Sequence, residues 1–205
     1  MLTQPKPTKK RTPTYEILEF FPYQGEWSEA EYLELAADTN RVVELSEGHL
    51  EVHDMPTDFH QLIVVRLISI LYPFVLARKL GHVRVSPLPV RLWPGKFREP
   101  DLIFMSNQHA SRIGEQFWEC PDLVVEVLSE GSRNLDRVQK KAEYARAGIP
   151  EYWIVDPQTR TVEVYRLENE QYALHHTLTP GDRLTSPQFP GLELSIEELF
   201  AREES

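Results

Sequence analysis

The run from Pro121 to Leu128, PDLVVEVL, constrains the fold more than any other segment of this chain. It has the length and the Val and Leu content of a β-strand that is buried on both faces, and Pro121 marks its start. Glu126 lies inside this run. Burying an ionised carboxylate without a partner is so costly that Glu126 must be protonated, paired with a cation or bound to a metal ion. The sequence therefore predicts a buried strand with one acidic side chain that has a specific task.

Other residues can join Glu126 in one site. Asp101 opens the strand-like run PDLIFM, and if that strand neighbours the strand of Glu126, the two carboxylates meet at one edge of the sheet. Asp136, Lys140 and Tyr144 recur at a spacing of four residues, which places them on one face of a helix. Carboxylate oxygens are the ligands that Mg²⁺ prefers, and a lysine beside them can position water or stabilise charge in a transition state. We therefore expect a site suited to phosphodiester chemistry.

The rest of the chain predicts a sheet covered by helices. Helices are expected at 27–37, 57–79, 132–147 and 196–202; a hairpin at 41–45 and 49–53; strands at 83–92, 100–105, 151–156, 161–167 and 171–178; and a loop at 106–120. Pro73 is expected to kink or end the long helix. This order of elements favours an α/β or α+β domain, in which a mixed β-sheet is flanked by helices and preceded by an N-terminal hairpin.

Composition limits the domain count and the range of partners. At 205 residues with 41% hydrophobic and 26% charged residues, the chain fits one globular domain, placed at 15–205 after a flexible Lys-, Thr- and Pro-rich arm at 1–14. The net charge of −10 argues against bulk adhesion to nucleic acid, so DNA binding would need locally basic edges and a metal. The apolar stretch from Leu67 to Ala77 is too short to span a bilayer, no signal peptide is visible, and the single cysteine, Cys120, fits a reducing compartment. We expect a cytoplasmic protein without a membrane segment.

At its acidic motifs the chain resembles the PD-(D/E)XK nuclease superfamily, and specifically the Uma-two family of restriction-endonuclease-like proteins. The resemblance is seen in REPDLIFM (98–105), PDLVVEVLSEGS (121–132), the helix pattern of Asp136, Lys140 and Tyr144, and GIPEYWIVDP (148–157). It implies a restriction-endonuclease-like fold and a Mg²⁺- or Mn²⁺-dependent endonuclease acting on DNA, with Asp101 and Glu126 as metal-binding acids. In the basic pattern of the superfamily the lysine lies two residues after the acid, where this chain has Leu128. The resemblance therefore requires a helix to deliver Lys140.

Two further residues have alternative interpretations. Glu44, on the first hairpin strand, is either another acid at the metal or a member of a cross-strand pair. His60 shares a helix face with apolar residues, so it is either a site residue or a hydrogen-bonded core histidine. Asp136 and Tyr144 are expected to orient Lys140 and to pack, rather than to perform chemistry themselves.

Two classes of function remain open at this point. The first is a metal-dependent endonuclease that uses Asp101, Glu126, Lys140 and Glu44. The second is a non-catalytic nucleic-acid-binding or protein-interaction module on the same fold, in which Asp101 caps a turn and Lys140 is solvated. The retained acids and lysine favour the enzyme, whereas the acidic composition and the missing strand lysine favour the module. Self-association into a homodimer is left open.

Overall fold

Residues 24–39 and 41–202 are described by the computed structural model, so the predicted arm at 1–14 lies outside the described residues. The first elements are helix α1 (Glu29–Asp38) and a hairpin of β1 (Val43–Ser46) and β2 (His49–Val52). The side chain of Ser28 accepts from the backbone N–H of Glu31, and the Glu31 carboxylate accepts from the backbone N–H of Ser28, which forms a capping box at the start of α1. Glu47 and Gly48, in the hairpin turn, have φ of 50° and 80°. The predicted first helix and hairpin are both confirmed.

Helix α2 (Asp58–Arg78) is the long helix that the sequence predicts. The helix continues through Pro73, so the prediction that it ends at this residue is wrong. Pro73 and Ser69, four residues before it, are both exposed, and water can therefore satisfy the Ser69 carbonyl that a proline leaves without a donor. Among the helices in the described ranges, α2 alone is long and apolar enough to cross a membrane. A core helix of a soluble protein can have the same length and composition, so this feature by itself is weak evidence for a membrane segment.

The other elements follow in chain order: β3 (Gly81–Val85), β4 (Val90–Trp93), β5 (Lys96–Arg98), β6 (Leu102–Ser106), a 3₁₀ turn (Asn107–Arg112), β7 (Trp118–Glu119), β8 (Leu123–Val127), a π-helical turn (Leu135–Lys140) that continues as α3 (Lys141–Arg146), β9 (Glu151–Asp156), β10 (Thr161–Glu168), β11 (Gln171–Leu178), β12 (Arg183–Ser186), β13 (Phe189–Ser195) and α4 (Ile196–Phe200). The strand expected at 83–92 is two strands, since Pro87 and Pro89 lie between them and proline cannot donate to a sheet. The loop expected at 106–120 contains the 3₁₀ turn and β7, and the β12–β13 hairpin is an addition to the prediction.

Three sheets form from these strands. Their orders are β2-β1-β5-β4-β7, β11-β10-β9-β8-β6-β3, and the β12-β13 hairpin. The six-stranded sheet is mixed, because β8 runs parallel to β9 but antiparallel to β6. Its β6–β8 register pairs Leu102 with Val125, so Asp101, which directly precedes Leu102, comes at the level of Glu126. The predicted mixed sheet flanked by helices is confirmed.

Strand β8 separates two hydrophobic clusters. Leu123, Val125 and Val127 pack in one cluster with the buried face of α2, whereas Val124 and Leu128 pack on the opposite side with residues that include Tyr144. This is the alternation that the sequence predicts for the strand. Glu126 therefore emerges on the side of the sheet that the π-helical turn and α3 cover.

Candidate active site

A cleft of about 350 Å³ lies where the beginning of α2, the ends of β6 and β8, and the π-helical turn meet. Five residues of the sequence prediction line it, together with Glu99, which the prediction omitted; the five are His60, Asp101, Glu126, Asp136 and Lys140. Glu44, the other predicted acid, is not among the lining residues. The two candidate ligands come from the facing ends of neighbouring strands, and Lys140 comes from the turn that crosses over them. Residues separated widely along the chain thus share one concave surface.

Lys140 is the cation at the centre of this cluster. Its Nζ lies 3.0 Å from Glu126 Oε1, 3.1 Å from Glu44 Oε1 and 3.3 Å from Asp136 Oδ1, and only 4% of the residue is exposed. The contact with Asp136 is an ion pair without a hydrogen bond, because Asp136 Oδ1 has no hydrogen-bond partner among the described residues. Burial by itself would lower the pKa of Lys140, but Glu126, Glu44 and Asp136 together raise it well above its usual range. Lys140 is therefore a buried, charged amine.

Glu126 is held by two donors on one oxygen. Lys140 Nζ donates to Oε1 at 3.0 Å, and the Tyr144 hydroxyl donates to the same oxygen at 2.6 Å. Burial raises the pKa of Glu126 well above its usual range, and the neighbouring acids Asp136 and Asp101 raise it further, although Lys140 opposes them. Asp136 lies beside Lys140, whereas Tyr144 contacts Glu126 rather than Lys140, so the expectation that both residues orient Lys140 stays a prediction.

Asp101 is tied to the end of β8. Its Oδ2 accepts from the backbone N–H of Val127 at 2.7 Å and lies 3.3 Å from His60 Nε2. Burial lowers the pKa of His60, but the hydrogen bond and the charge of Asp101 outweigh burial and raise it. His60 thus faces the candidate site, and its Nδ1 has no hydrogen-bond partner among the described residues. The neighbouring backbone fixes the Asp101 carboxylate at the cleft.

Glu44 connects the cleft to a second charged group. Oε1 lies 3.1 Å from Lys140 Nζ and accepts from the backbone N–H of Glu99 at 2.9 Å, while Oε2 accepts from Arg98 at 2.6 Å and bonds to His53 at 2.8 Å. Burial opposes ionisation of Glu44, but Lys140, His53 and Arg98 hold its pKa well below the usual range. Glu44 is fully buried and is not among the residues that line the cleft, so both interpretations of Glu44 stay predictions.

A further group of potential metal ligands lies next to Glu44. Glu44, Glu51 and His53 each offer one ligand atom within 4.8 Å of the others. Glu44 and Glu51 are directly opposite in the β1–β2 register, where like charges repel, and Arg98 Nη1 contacts both carboxylates. The Arg98 guanidinium therefore already supplies a positive charge to this group, and a metal ion would have to compete with it. The sequence interpretation omitted Glu51, His53 and Arg98 because their meeting depends on the pairing of β1 with β2 and β5.

Glu99 is an additional acid of the cleft. It is 5% exposed, its Oε1 accepts from the Tyr32 hydroxyl at 3.2 Å, and its Oε2 has no hydrogen-bond partner among the described residues. Burial, reinforced by the charge of Glu44, raises the pKa of Glu99 to about 8. The available signal in the sequence was the pair of charged residues, Arg98 and Glu99, directly before the Pro-Asp motif of a buried strand.

The donor set fits a hard divalent cation. Glu99, Asp101 and Glu126 all line one cleft, and Glu99 Oε2 has no hydrogen-bond partner among the described residues. Mg²⁺ and Mn²⁺ prefer such oxygen ligands and retain several water molecules when they bind to one or two carboxylates. The assignment of Asp101 and Glu126 as ligands stays a prediction: both line the cleft, whereas the group of described residues whose ligand atoms lie within 4.8 Å of one another is Glu44, Glu51 and His53.

A mixed six-stranded sheet with two acids at the ends of neighbouring strands and a lysine beside them defines a protein of the restriction-endonuclease-like fold class. The chain belongs to the Uma2 family, described as "Putative restriction endonuclease", which matches residues 29–197. It is also similar in structure to a protein from Anabaena variabilis ATCC 29413, described as "a putative nuclease belonging to DUF820", with a TM-score of 0.71 and 23% sequence identity. That similarity covers 85% of this chain and 97% of the Anabaena protein. No curated protein matches the chain.

Proposed function

We propose that this protein is a Mg²⁺- or Mn²⁺-dependent endonuclease that hydrolyses phosphodiester bonds of DNA. The observation on which the proposal rests is the meeting of Asp101, Glu126 and Lys140 in one cleft, with Lys140 Nζ 3.0 Å from Glu126. Membership of the Uma2 family supports a nuclease, since the family is described as "Putative restriction endonuclease". The lysine that is missing from β8 is replaced by Lys140, at the end of the π-helical turn. Turns of this kind occur frequently at functional sites.

The metal ion would bind to Asp101 and Glu126, where it would polarise a phosphoryl oxygen, lower the pKa of a bound water and neutralise developing charge. Lys140 remains protonated in this cleft, so it stabilises negative charge on the reacting phosphate and orients the attacking water. Tyr144 holds Glu126 Oε1 in place, and His60 lies against Asp101. Asp136 and Glu44 keep the Lys140 amine between them, which limits the positions it can adopt.

The test is a cleavage assay on single- and double-stranded DNA with Mg²⁺ or Mn²⁺ and with EDTA. We expect metal-dependent cleavage that is lost in Asp101→Asn, Glu126→Gln and Lys140→Ala. Losses in double variants should be smaller than the product of the single losses, because acids and lysine act as a unit on the same transition state. Calorimetric titration of Mn²⁺ gives a readout that does not depend on activity, and Asp101→Asn and Glu126→Gln should each weaken Mn²⁺ binding. Lys141→Ala is the matched control, since Lys141 contacts the ring of Tyr165 and not the cleft.

The second candidate function is a non-catalytic module that binds nucleic acid or protein. Lys140 already has three acidic neighbours, and this favours the module, because the buried charges are stabilised without a metal or a substrate. Metal-dependent DNA binding without cleavage across the substrate panel would favour the module. Cleavage that is unchanged in all three variants would place the active site elsewhere.

A cytoplasmic location remains part of the proposal. Burial raises the pKa of the Cys120 thiol, which leaves little of the reactive thiolate at neutral pH. The support for this location is that the chain has a single cysteine and so no intramolecular disulfide, as is usual in a reducing compartment.

A further inference from the structure

The outer face of α2 is unusually apolar for a solvated surface. Val65, Tyr72 and Leu76 are exposed by 56%, 48% and 62%. Together with Gln61 and Ser69 they recur at intervals of three or four residues, so they form one stripe along the helix. We call these five residues the α2 stripe.

Helix α2 has more apolar residues than its contacts with the core require. It is long and apolar enough to cross a membrane, yet only six of its 21 residues are buried. Met55 and Val85, two further exposed apolar side chains, line the cleft wall beside Val65. A soluble chain rarely leaves so many large apolar side chains together in water, and such a patch is typical of an interaction surface.

The charges at the two ends of α2 indicate which partner fits the stripe. Asp58 begins the helix and Lys79 follows its last turn, and among the described residues neither side chain has an ion pair. If a second copy packs antiparallel about a twofold axis near Ser69, Asp58 meets the partner's Lys79 at both ends. The same arrangement places Val65 against the partner's Tyr72 and Gln61 against the partner's Leu76. The small Ser69 side chain lies at the centre, where the two helix backbones would approach most closely.

We propose that two copies of this chain form a twofold dimer through the α2 stripe, with the two helices antiparallel. A twofold interface uses the same patch on both subunits. An axis near Ser69 meets this requirement because it brings Val65 against the partner's Tyr72 and Asp58 against the partner's Lys79. Interfacial membrane helices instead pair an apolar face with a polar face rich in Lys and Arg. Asp58 precedes the stripe on a chain of net charge −10, so a protein partner fits the stripe better than an anionic lipid surface. Gln61, Val65 and Ile68 also line the cleft, so the dimer interface would border both clefts.

Sedimentation of the full chain over the micromolar range tests the association. We expect a species of twice 23.9 kDa for the parent protein and a twofold loss of mass in Leu76→Glu. Because Leu76 is largely exposed, this variant should keep its fold, which circular dichroism can verify. Leu174→Glu is the matched control: Leu174 is 54% exposed on β11, at the sheet edge opposite β3, and this variant should remain dimeric. A monomeric parent protein would overturn the proposal, as would a dimer that dissociates in Leu174→Glu but not in Leu76→Glu.

The antiparallel arrangement has its own tests. Asp58→Lys and Lys79→Glu should each weaken the dimer by bringing like charges together, and the double variant should restore it. In a Cys120→Ser background, Ser69→Cys should form a disulfide between subunits under mild oxidation. Leu76→Cys should not, because its two copies would be about 22 Å apart along antiparallel helices. A covalent dimer through Leu76→Cys would show parallel helices and overturn this arrangement.

A monomer that binds anionic phosphatidylserine vesicles, with binding lost in Leu76→Glu, would assign the stripe to a membrane and refute the dimer.

Discussion

Lys140 is shared by three acids, and this determines how single substitutions in the cluster act. Its amine contacts Glu126, Glu44 and Asp136, so the acids outnumber it in this group. Arg98 supplies a second positive charge on the far side of Glu44. Loss of one acid leaves the lysine with two partners, whereas loss of the lysine leaves several acids without their common cation.

We expect Glu126→Gln to be as stable as the parent protein, or more stable, in metal-free buffer. Burial raises the pKa of Glu126 well above its usual range, so the ionised carboxylate is unfavourable there, and a neutral amide removes its repulsion from Asp136 and Asp101. Lys140→Met should instead destabilise the fold by about 3 kcal/mol, because it leaves buried carboxylates unpaired. Thermal and urea unfolding, with and without Mg²⁺, measure both effects.

Lys141→Met provides the comparison for Lys140→Met. Lys141 Nζ lies 3.9 Å from the centre of the Tyr165 ring, a contact that contributes about 0.5–1 kcal/mol at an exposed site. The two neighbouring lysines should therefore differ severalfold in their effect on the free energy of unfolding. Marked destabilisation of Glu126→Gln without metal would identify the Glu126–Lys140 contact as a structural ion pair.

At the scale of elements, the π-helical turn is fixed to the end of β9 by a buried acid. Asp156 accepts hydrogen bonds from Arg133 and Arg137, and Arg137 also pairs with Glu163 on β10. These contacts join the sheet to the turn that ends with Lys140. The position of the lysine amine thus depends on a set of ion pairs outside the cleft.

This arrangement predicts a stability that depends on pH. Burial disfavours the charged form of Asp156, but hydrogen bonds from Arg133, Thr159 and Gln158 outweigh burial and lower its pKa to about 2. A carboxyl group whose pKa is lower in the folded state than in the unfolded state stabilises the fold when the pH is above the unfolded-state pKa, near 4. This contribution is lost as the pH falls towards 2. We expect Asp156→Asn to cost about 2 kcal/mol at pH 7 and almost nothing near pH 2.

Urea unfolding of Asp156→Asn and the parent protein between pH 7 and pH 2 checks this dependence. Glu163→Gln is the control, because it removes a partner of Arg137 and leaves Asp156 with Arg133. A cost for Asp156→Asn that stays constant over the whole pH range would mean that shape, rather than charge, accounts for the effect.

At the scale of the whole molecule, the net charge of −10 opposes the approach of DNA. Removal of an acid at the cleft reduces this repulsion without removing any basic residue. We therefore expect Asp101→Asn and Glu126→Gln to bind DNA as well as the parent protein, or more tightly, at low salt, even though they do not cleave it. Fluorescence anisotropy with a labelled duplex, in EDTA and at two salt concentrations, measures this separation of binding from cleavage. Weaker binding by both variants in EDTA would mean that the carboxylates contact the nucleic acid directly.

Local patterns in the sequence predicted most of the helices and strands and part of the candidate site. Alternation along Leu123–Val127 placed Glu126 opposite the α2 side, and the spacing of Asp136, Lys140 and Tyr144 placed these residues on one helix face. Both patterns repeat over a few residues, so they are set by backbone geometry alone. The single domain at 15–205 stays a prediction.

Only the tertiary structure decided which distant residues meet. Glu44 and Arg98 are 54 positions apart, and Glu44 and Glu99 are 55 apart, so their contacts follow from the β1–β5 pairing rather than from any local pattern. The high pKa of Glu99 likewise has its cause in burial, which depends on the packing of the whole domain. The same is true of the α2 stripe: helical spacing predicts its existence, but only the packed structure shows which face remains in water. Periodicity fixes the direction of a side chain, whereas its neighbours depend on sheet order and register.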